Sequence, residues 1–76
     1  KMDFPARITI VVAPSDLHAG FMRLATIAER LLGILVTKGG HFVVFIGKPR
    51  QISKVIWCDN KGCCLLTRKL NTGRFE

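Results

Sequence analysis

The sequence predicts an α/β protein of the α+β type, in which one helix packs on a small, mostly antiparallel sheet in the order β-α-β-β-β. Seventy-six residues provide a single small hydrophobic core. Along the chain, a β-branched run is followed by an apolar stripe with helical spacing and then by three short apolar runs. Gly, Pro, Asn and Asp residues separate these segments. We expect a single domain over residues 1–76, with an N-terminal tail at 1–6, a strand and helix within 7–37, and a basic β-meander within 38–76.

The first half of the chain predicts a strand followed by a helix. Residues 7–13 are rich in β-branched side chains, which favours a strand. Alternate residues of this strand share one face: Ile8, Ile10 and Val12. Pro14 ends the strand, and we expect Ser15 or Asp16 to cap a helix that continues to about residue 35. The apolar stripe of this helix comprises Leu17, Phe21, Leu24, Ala28, Leu31, Leu32 and Leu35.

The second half predicts a three-stranded antiparallel meander. Its strands are expected at residues 42–46, 52–58 and 63–70. The turn 47–51 carries two basic side chains and joins the first two strands. The sequence Asp-Asn-Lys-Gly at 59–62 favours a tight turn, because Asp suits its first position and Gly suits a left-handed position after it.

The predicted sheet has more apolar surface than one helix can cover. A single helix covers one face of the sheet, whereas residues 42–46 are apolar on both faces. Surplus apolar surface of this kind usually has a partner. We therefore expect a second copy of the chain, as a homodimer through the uncovered sheet face, or a further segment that packs there.

The charge of the chain predicts a negatively charged partner. Twelve Lys and Arg residues against five Asp and Glu give a formal net charge of +7. Residues 38–76 contain eight basic and two acidic side chains, so most of the excess lies in the meander. We expect this half to bind DNA or RNA through phosphates, with an affinity that falls as salt is added. The candidate nucleic-acid-binding residues are Lys48, Arg50, Lys54, Arg68, Lys69 and Arg74.

Two details of the meander refine this prediction. If Asp59 pairs with Cys63 across the last turn, Lys54 lies opposite Arg68, and a phosphate between them would relieve their repulsion. The same cations could instead form an ordinary solvated face. Trp57 could stack on a base, or it could pack against the helix or a second copy of the chain, because its neighbours are apolar.

The residue types argue against an enzyme. Five carboxylates are few for a metal-dependent nuclease or transposase, whose sites bring several acids together on divalent ions. The sequence has no phosphate-loop pattern, cofactor motif or nucleophile–base pair. A turn-forming role accounts for Asp59 without catalysis. We therefore expect no catalysis, no cofactor and no small-molecule substrate.

Cysteine spacing and hydropathy predict a reduced protein in the cytoplasm. Cys58, Cys63 and Cys64 lack the paired Cys-x-x-Cys spacing of zinc sites, so we expect buried thiols and no metal. The first residues lack the apolar stretch of a signal peptide. Residues 17–36 contain three charged side chains, so we expect no membrane span. The basic residues lie on strands and turns rather than on an amphipathic helix, which argues against membrane-surface binding.

Two ordered series of residues, together covering about residues 8–76, resemble a known family. The first series is Ser15-Asp16-Leu17-His18-Ala19-Gly20-Phe21 with Leu24-Ala25. The second is Phe42-Val43-Val44-Phe45, Arg50, Lys54-Val55-Ile56-Trp57, Asp59, Gly62, Leu65, Arg68-Lys69-Leu70 and Gly73-Arg74-Phe75. Together they resemble the second-reading-frame accessory protein of the IS66 insertion-sequence family, of the TnpB type. Members often have Trp-Trp where this chain has Trp57-Cys58, and they usually continue past Gly-Arg-Phe.

The resemblance implies a bacterial protein that assists a separate transposase, and it supplies no catalytic residues. Combined with the charge pattern, it predicts a non-catalytic accessory protein of DNA transposition. Such a protein would bind transposon DNA, the transposase, or both, through the basic meander. The alternative is a small basic RNA-binding module unrelated to mobile elements.

Overall fold

The computed structural model describes residues 7–12, 20–47 and 51–70. Its elements follow one another as β1 (Arg7–Val12), α1 (Phe21–Leu32), a short 3₁₀ turn (Val36–Lys38), β2 (His41–Gly47), β3 (Ile52–Asp59) and β4 (Gly62–Lys69). The four strands form one sheet in the order β1-β2-β3-β4. β1 runs parallel to β2, and the other two pairs are antiparallel. The predicted α+β fold, with one helix and a C-terminal meander, is confirmed.

The core lies between α1 and one face of the sheet. Strand residues alternate between two faces, and the residues on the helix side are buried at Val43, Phe45, Ile56 and Cys58. They pack against two helix residues one turn apart and one residue of the 3₁₀ turn: Leu24, Ala28 and Val36. We call the opposite face of the sheet the far face. Its residues include Ile8, Ile10, Val12, Phe42, Val44, Val55, Trp57, Cys64, Leu66 and Arg68.

The helix is shorter than the sequence predicted. Gly20 has an extended backbone and precedes the first helical residue, so no continuous helix runs through it. Ser15 and Asp16, the predicted caps, lie outside the described residues. At the other end, Gly33 adopts the left-handed conformation, and its N–H donates to Glu29 O at 3.0 Å. The bond from Gly33 to Glu29 is that of an αL C-cap, and the next N–H, of Ile34, donates to Ala28 O at 3.3 Å, so the helix ends before residue 35.

The meander has the predicted strands, within one residue at each end, but a different register. Asp59 pairs with Gly62 rather than with Cys63, which leaves a two-residue loop. The cause is local: Asp59 Oδ1 accepts hydrogen bonds from the N–H groups of Lys61 and Gly62, at 2.8 and 3.1 Å. A shift of one residue moves side chains to the other face. Lys54 consequently pairs with Thr67, and the predicted Lys54–Arg68 pair is not formed.

The cysteine prediction is also corrected. Cys58 and Cys63 pair directly across the β3–β4 hairpin, with Cα atoms 3.9 Å apart, and they form a disulfide. Cys64 is free and exposed. The expectation of three buried thiols is therefore wrong, because the register places two cysteines on the same face in opposition. In the described part of the chain, no helix has the length and hydropathy needed to cross a membrane.

Candidate nucleic-acid interface

Three of the six predicted cations belong to the described residues, and they do not form one patch. Lys54 and Lys69 lie on the helix side of the sheet, whereas Arg68 lies on the far face. Lys54 is half-buried between Phe45 and Thr67 on the neighbouring strands. The remaining predicted residues, Lys48, Arg50 and Arg74, lie outside the described residues.

Arg68 and Lys69 occupy the exposed end of an edge strand. Every residue of β4 is exposed, and in the described sheet β4 pairs with β3 alone. The N–H of Leu70 donates to Gln51 O at 2.7 Å, which holds the end of β4 against the start of β3. Because consecutive strand residues point to opposite faces, one cation projects on each side of this edge. The pair can therefore reach phosphates on either side of a strand of nucleic acid laid along β4.

A second group of cations, which was not among the predicted nucleic-acid-binding residues, lies at the opposite end of the sheet. The exposed residues Arg7, Lys38 and Lys61 come from β1, the 3₁₀ turn and the β3–β4 loop. Half-buried His41 lies beside them, with its Nε2 in a hydrogen bond of 2.9 Å with Thr9 Oγ1. These cations are far apart in sequence, and the sheet brings together the elements that carry them. Their position at the same end of the sheet follows from the strand order and directions, which the spacing of these residues in the sequence does not reveal.

The cations Lys38 and Lys61 border a groove of about 770 Å³, which we call the hairpin groove. It is lined by residues 37–42 on one side and 57–61 on the other. The β2–β3 ladder ends at Val43 and Ile56, so the groove opens where these two strands stop pairing.

Aromatic rings form part of the hairpin groove. Phe42 and Trp57 both lie on the far face, with ring centroids 5.3 Å apart and planes tilted by 30°. Trp57 therefore does not pack against the helix, which was one of the two apolar environments predicted for it. Its indole is half-buried, and it borders the groove beside its Phe42 neighbour.

Gly39 allows the chain to pass close to β3 at this groove. Its φ is +83°, and a Cβ atom there would come within 3.3 Å of Cys58 O. In the sequence, Gly39 and Gly40 stand among the residues that separate the apolar segments, and neither was predicted to belong to a site. The glycines themselves were a weak signal, since glycine is common where backbone must turn sharply or approach another segment closely.

Comparison with known proteins agrees with the predicted resemblance. A family model described as "IS66 Orf2 like protein" matches residues 6–76. A Sinorhizobium fredii protein called "Uncharacterized protein y4hO" is 38% identical over 69 residues, which are 91% of this chain and 59% of that relative. The chain thus spans less than two thirds of the relative's length, and no solved structure matches it. Because the family match covers nearly all of its residues, the chain belongs to the IS66 Orf2-like family of insertion-sequence accessory proteins.

Proposed function

We propose that this chain is a non-catalytic accessory protein of DNA transposition that binds transposon DNA through phosphate contacts. The observation that carries the proposal is the exposed end of β4, where Arg68 and Lys69 project from the two faces of an edge strand. Family membership supplies the setting, since IS66 proteins accompany a mobile element. The excess of 12 basic over 5 acidic side chains supplies a long-range attraction to any polyanion.

Phosphate contact fits this edge better than reading of base edges. Base reading in duplex DNA generally uses a helix or a two-stranded ribbon that enters the major groove. Here α1 packs on the sheet through Leu24 and Ala28, and β4 belongs to a four-stranded sheet. The exposed cations at the sheet edge can position a backbone without recognising its sequence. Binding of this kind releases counterions and is sensitive to salt.

The transposase is the second candidate partner, and at the β4 edge it would compete with DNA. Edge strands with exposed backbone groups accept an extended segment of another protein, and β4 is an exposed edge in the described sheet. The RNA-binding alternative uses the same cations. It differs in predicting equal or tighter binding to RNA than to DNA of the same sequence. All three modes of action would operate in the cytoplasm of a bacterial cell.

The experiment is a binding titration over a salt series, with fluorescence anisotropy of a labelled DNA fragment as the readout. In the double variant Arg68→Ala/Lys69→Ala, we expect the slope of log K against log salt to decrease in magnitude by about 2, one for each lost phosphate contact. The matched control is Arg23→Ala/Arg30→Ala, which removes the same charge from exposed positions of α1. This control should retain the wild-type slope to within a few tenths.

Equal losses in the two variants would contradict the proposed edge and would indicate only general attraction to a basic protein. Binding that does not weaken with salt would contradict phosphate contact altogether. Tighter binding to RNA would favour the alternative module. If no nucleic acid binds, a pull-down with purified transposase decides whether the protein partner is the main one.

A further inference from the structure

The lining of the hairpin groove combines flat apolar rings with ammonium groups. Trp57 and Phe42 supply the rings, and exposed Lys38 and Lys61 supply the charges. The carboxylate in the lining, Asp59, already accepts two backbone hydrogen bonds within its own turn. Two ammonium groups against one carboxylate leave the lining with a net positive charge.

This combination matches the chemistry of a nucleotide. A nucleobase has two flat faces that stack on aromatic side chains, and its phosphate is attracted to nearby ammonium groups. The groove's volume of about 770 Å³ lies within the range of roughly 300–1,000 Å³ that is usual for small-ligand sites. An aliphatic anion would use the lysines but not the rings, and an uncharged aromatic molecule would use the rings but not the lysines.

We infer that the hairpin groove receives one unpaired nucleotide of a nucleic-acid strand, with its base on Trp57 and its phosphate near Lys38 or Lys61. The inference rests on the proposed function and makes the partner more specific. A base within a duplex is covered on both faces by its neighbours, whereas a base in single-stranded nucleic acid is free to stack on protein. The preferred substrate of this site is therefore a single-stranded or locally opened segment.

Two structural features hold the groove in shape without ligand. The β3–β4 ladder, which the Cys58–Cys63 disulfide reinforces, joins the two strands of the hairpin that carries Trp57 and Lys61. On the other side, Gly39 places the backbone against Cys58 O, which an added Cβ atom would approach to 3.3 Å. The ligand therefore meets a largely preformed site, which reduces the entropy lost on binding.

Trp57 makes the inference directly testable, because it is the one tryptophan in the sequence. Its fluorescence is to be measured while the protein is titrated with single-stranded oligothymidylate, with the matching duplex, and with heparin. We expect saturable quenching by the single strand, because a stacked base quenches indole emission. Heparin is a polyanion without bases and should bind with little quenching. The duplex should likewise quench little, since its bases are covered.

Two test variants and one control examine the groove while Arg68 and Lys69 on β4 stay unchanged. Lys38→Ala/Lys61→Ala retains Trp57 and should weaken the quenching titration by about tenfold. Arg23→Ala/Arg30→Ala is the control of equal charge on α1 and should change the affinity by less than about threefold. Trp57→Leu should weaken binding of a labelled single strand by about tenfold, as measured by anisotropy. Circular dichroism of each variant establishes that it is folded.

The outcomes distinguish this inference from the function on which it rests. Salt-dependent binding without Trp57 quenching, and without loss in Lys38→Ala/Lys61→Ala, would overturn the groove and leave the phosphate-binding edge in place. Equal quenching by heparin and oligothymidylate would also overturn it, because no base is then being recognised. Absence of binding to any nucleic acid would overturn both proposals. If Trp57→Leu does not fold, the quenching of the wild-type protein and the lysine variant decide the matter.

Discussion

Gly39 is the residue whose replacement should most clearly damage the local structure. Its backbone, at φ +83° and ψ 174°, lies in a region that is open almost only to glycine. An added Cβ would also approach the backbone oxygen of Cys58 to 3.3 Å. We therefore expect Gly39→Ala to lower the free energy of unfolding by about 1–3 kcal/mol, as measured by the midpoint of urea denaturation.

Gly20 offers the matched control for this prediction. Its φ is −85°, and a Cβ there would meet no atom within 4 Å. Alanine is a poorer helix cap than glycine, but it also reduces the entropy of the unfolded chain, and these effects are each below about 1 kcal/mol and opposite in sign. Gly20→Ala should leave the midpoint nearly unchanged. Equal effects at Gly39 and Gly20 would mean that the close approach to Cys58 is not as described.

Individual residues also show how far the sequence could predict the candidate site. Asp59 was expected to form a turn, and it does, through its two backbone hydrogen bonds. The pairing of Lys54 with Arg68 was wrong, because it depended on whether Asp59 faces Gly62 or Cys63. Both registers have an acceptable turn, and the choice between them rests on hydrogen-bond geometry that a sequence pattern does not contain.

Among the helices and strands, the β3–β4 hairpin should owe part of its stability to its disulfide. Cys58 and Cys63 close a loop that contains four other residues, and the loop-entropy relation gives about 2 kcal/mol for a loop this small. We expect a reductant to lower the free energy of unfolding of the wild-type protein by about this amount. The measurement is urea denaturation with and without the reductant, followed by circular dichroism.

Two cysteine variants control for other effects of the reductant. Cys64→Ser removes the exposed free thiol and should retain the full response. Cys58→Ala/Cys63→Ala lacks the bond and should be less stable from the start, with no further change on reduction. A wild-type protein that is equally stable in both conditions would show that the bond does not contribute.

The order of the helix and strands was easier to predict than the residues at which the helix begins and ends. Periodicity placed four strands and one helix in the correct order, because alternate and helical spacings differ plainly in the sequence. The helix ends at Leu32 because Gly33 forms its C-cap, whereas the sequence analysis allowed helix to about residue 35. Gly33 is compatible with either a weak helix interior or a cap, and the cap requires hydrogen bonds to Ala28 and Glu29 that depend on the fold.

Across the described part of the molecule, the positive charge is more dispersed than a count by halves suggests. Arg68 and Lys69 lie at one end of β4, and Lys61 immediately precedes its other end. Arg68 lies seven positions after Lys61, which corresponds to about 24 Å along an extended chain. The sequence shows the excess of positive charge, but it does not show that these cations lie at two opposite ends of the sheet. A strand of nucleic acid along β4 could reach both ends.

Apolar rows cross the far face of the sheet from edge to edge. The register aligns Ile10, Val44, Val55 and Leu66 in one row over all four strands. Phe42 and Trp57 lie in the neighbouring row, next to Ile8. Ile10 is 62% exposed and Leu66 is 56% exposed, at opposite edges. Three strand spacings make this row about 14 Å long, and contiguous exposed apolar surface on a sheet often marks an interaction site.

We predict that this face associates with a second copy of the chain, and that salt strengthens the association. Burial of the row that contains Ile10 and Leu66 favours a dimer in which Trp57 stays outside the interface, whereas two molecules of charge +7 repel each other until salt screens them. Sedimentation equilibrium should show a dimer that Leu66→Lys dissociates. Leu31→Lys is the control, since Leu31 is 70% exposed on α1, away from the far face. Salt should thus have opposite effects on dimer and DNA affinity; a monomer at every salt concentration would contradict the predicted homodimer.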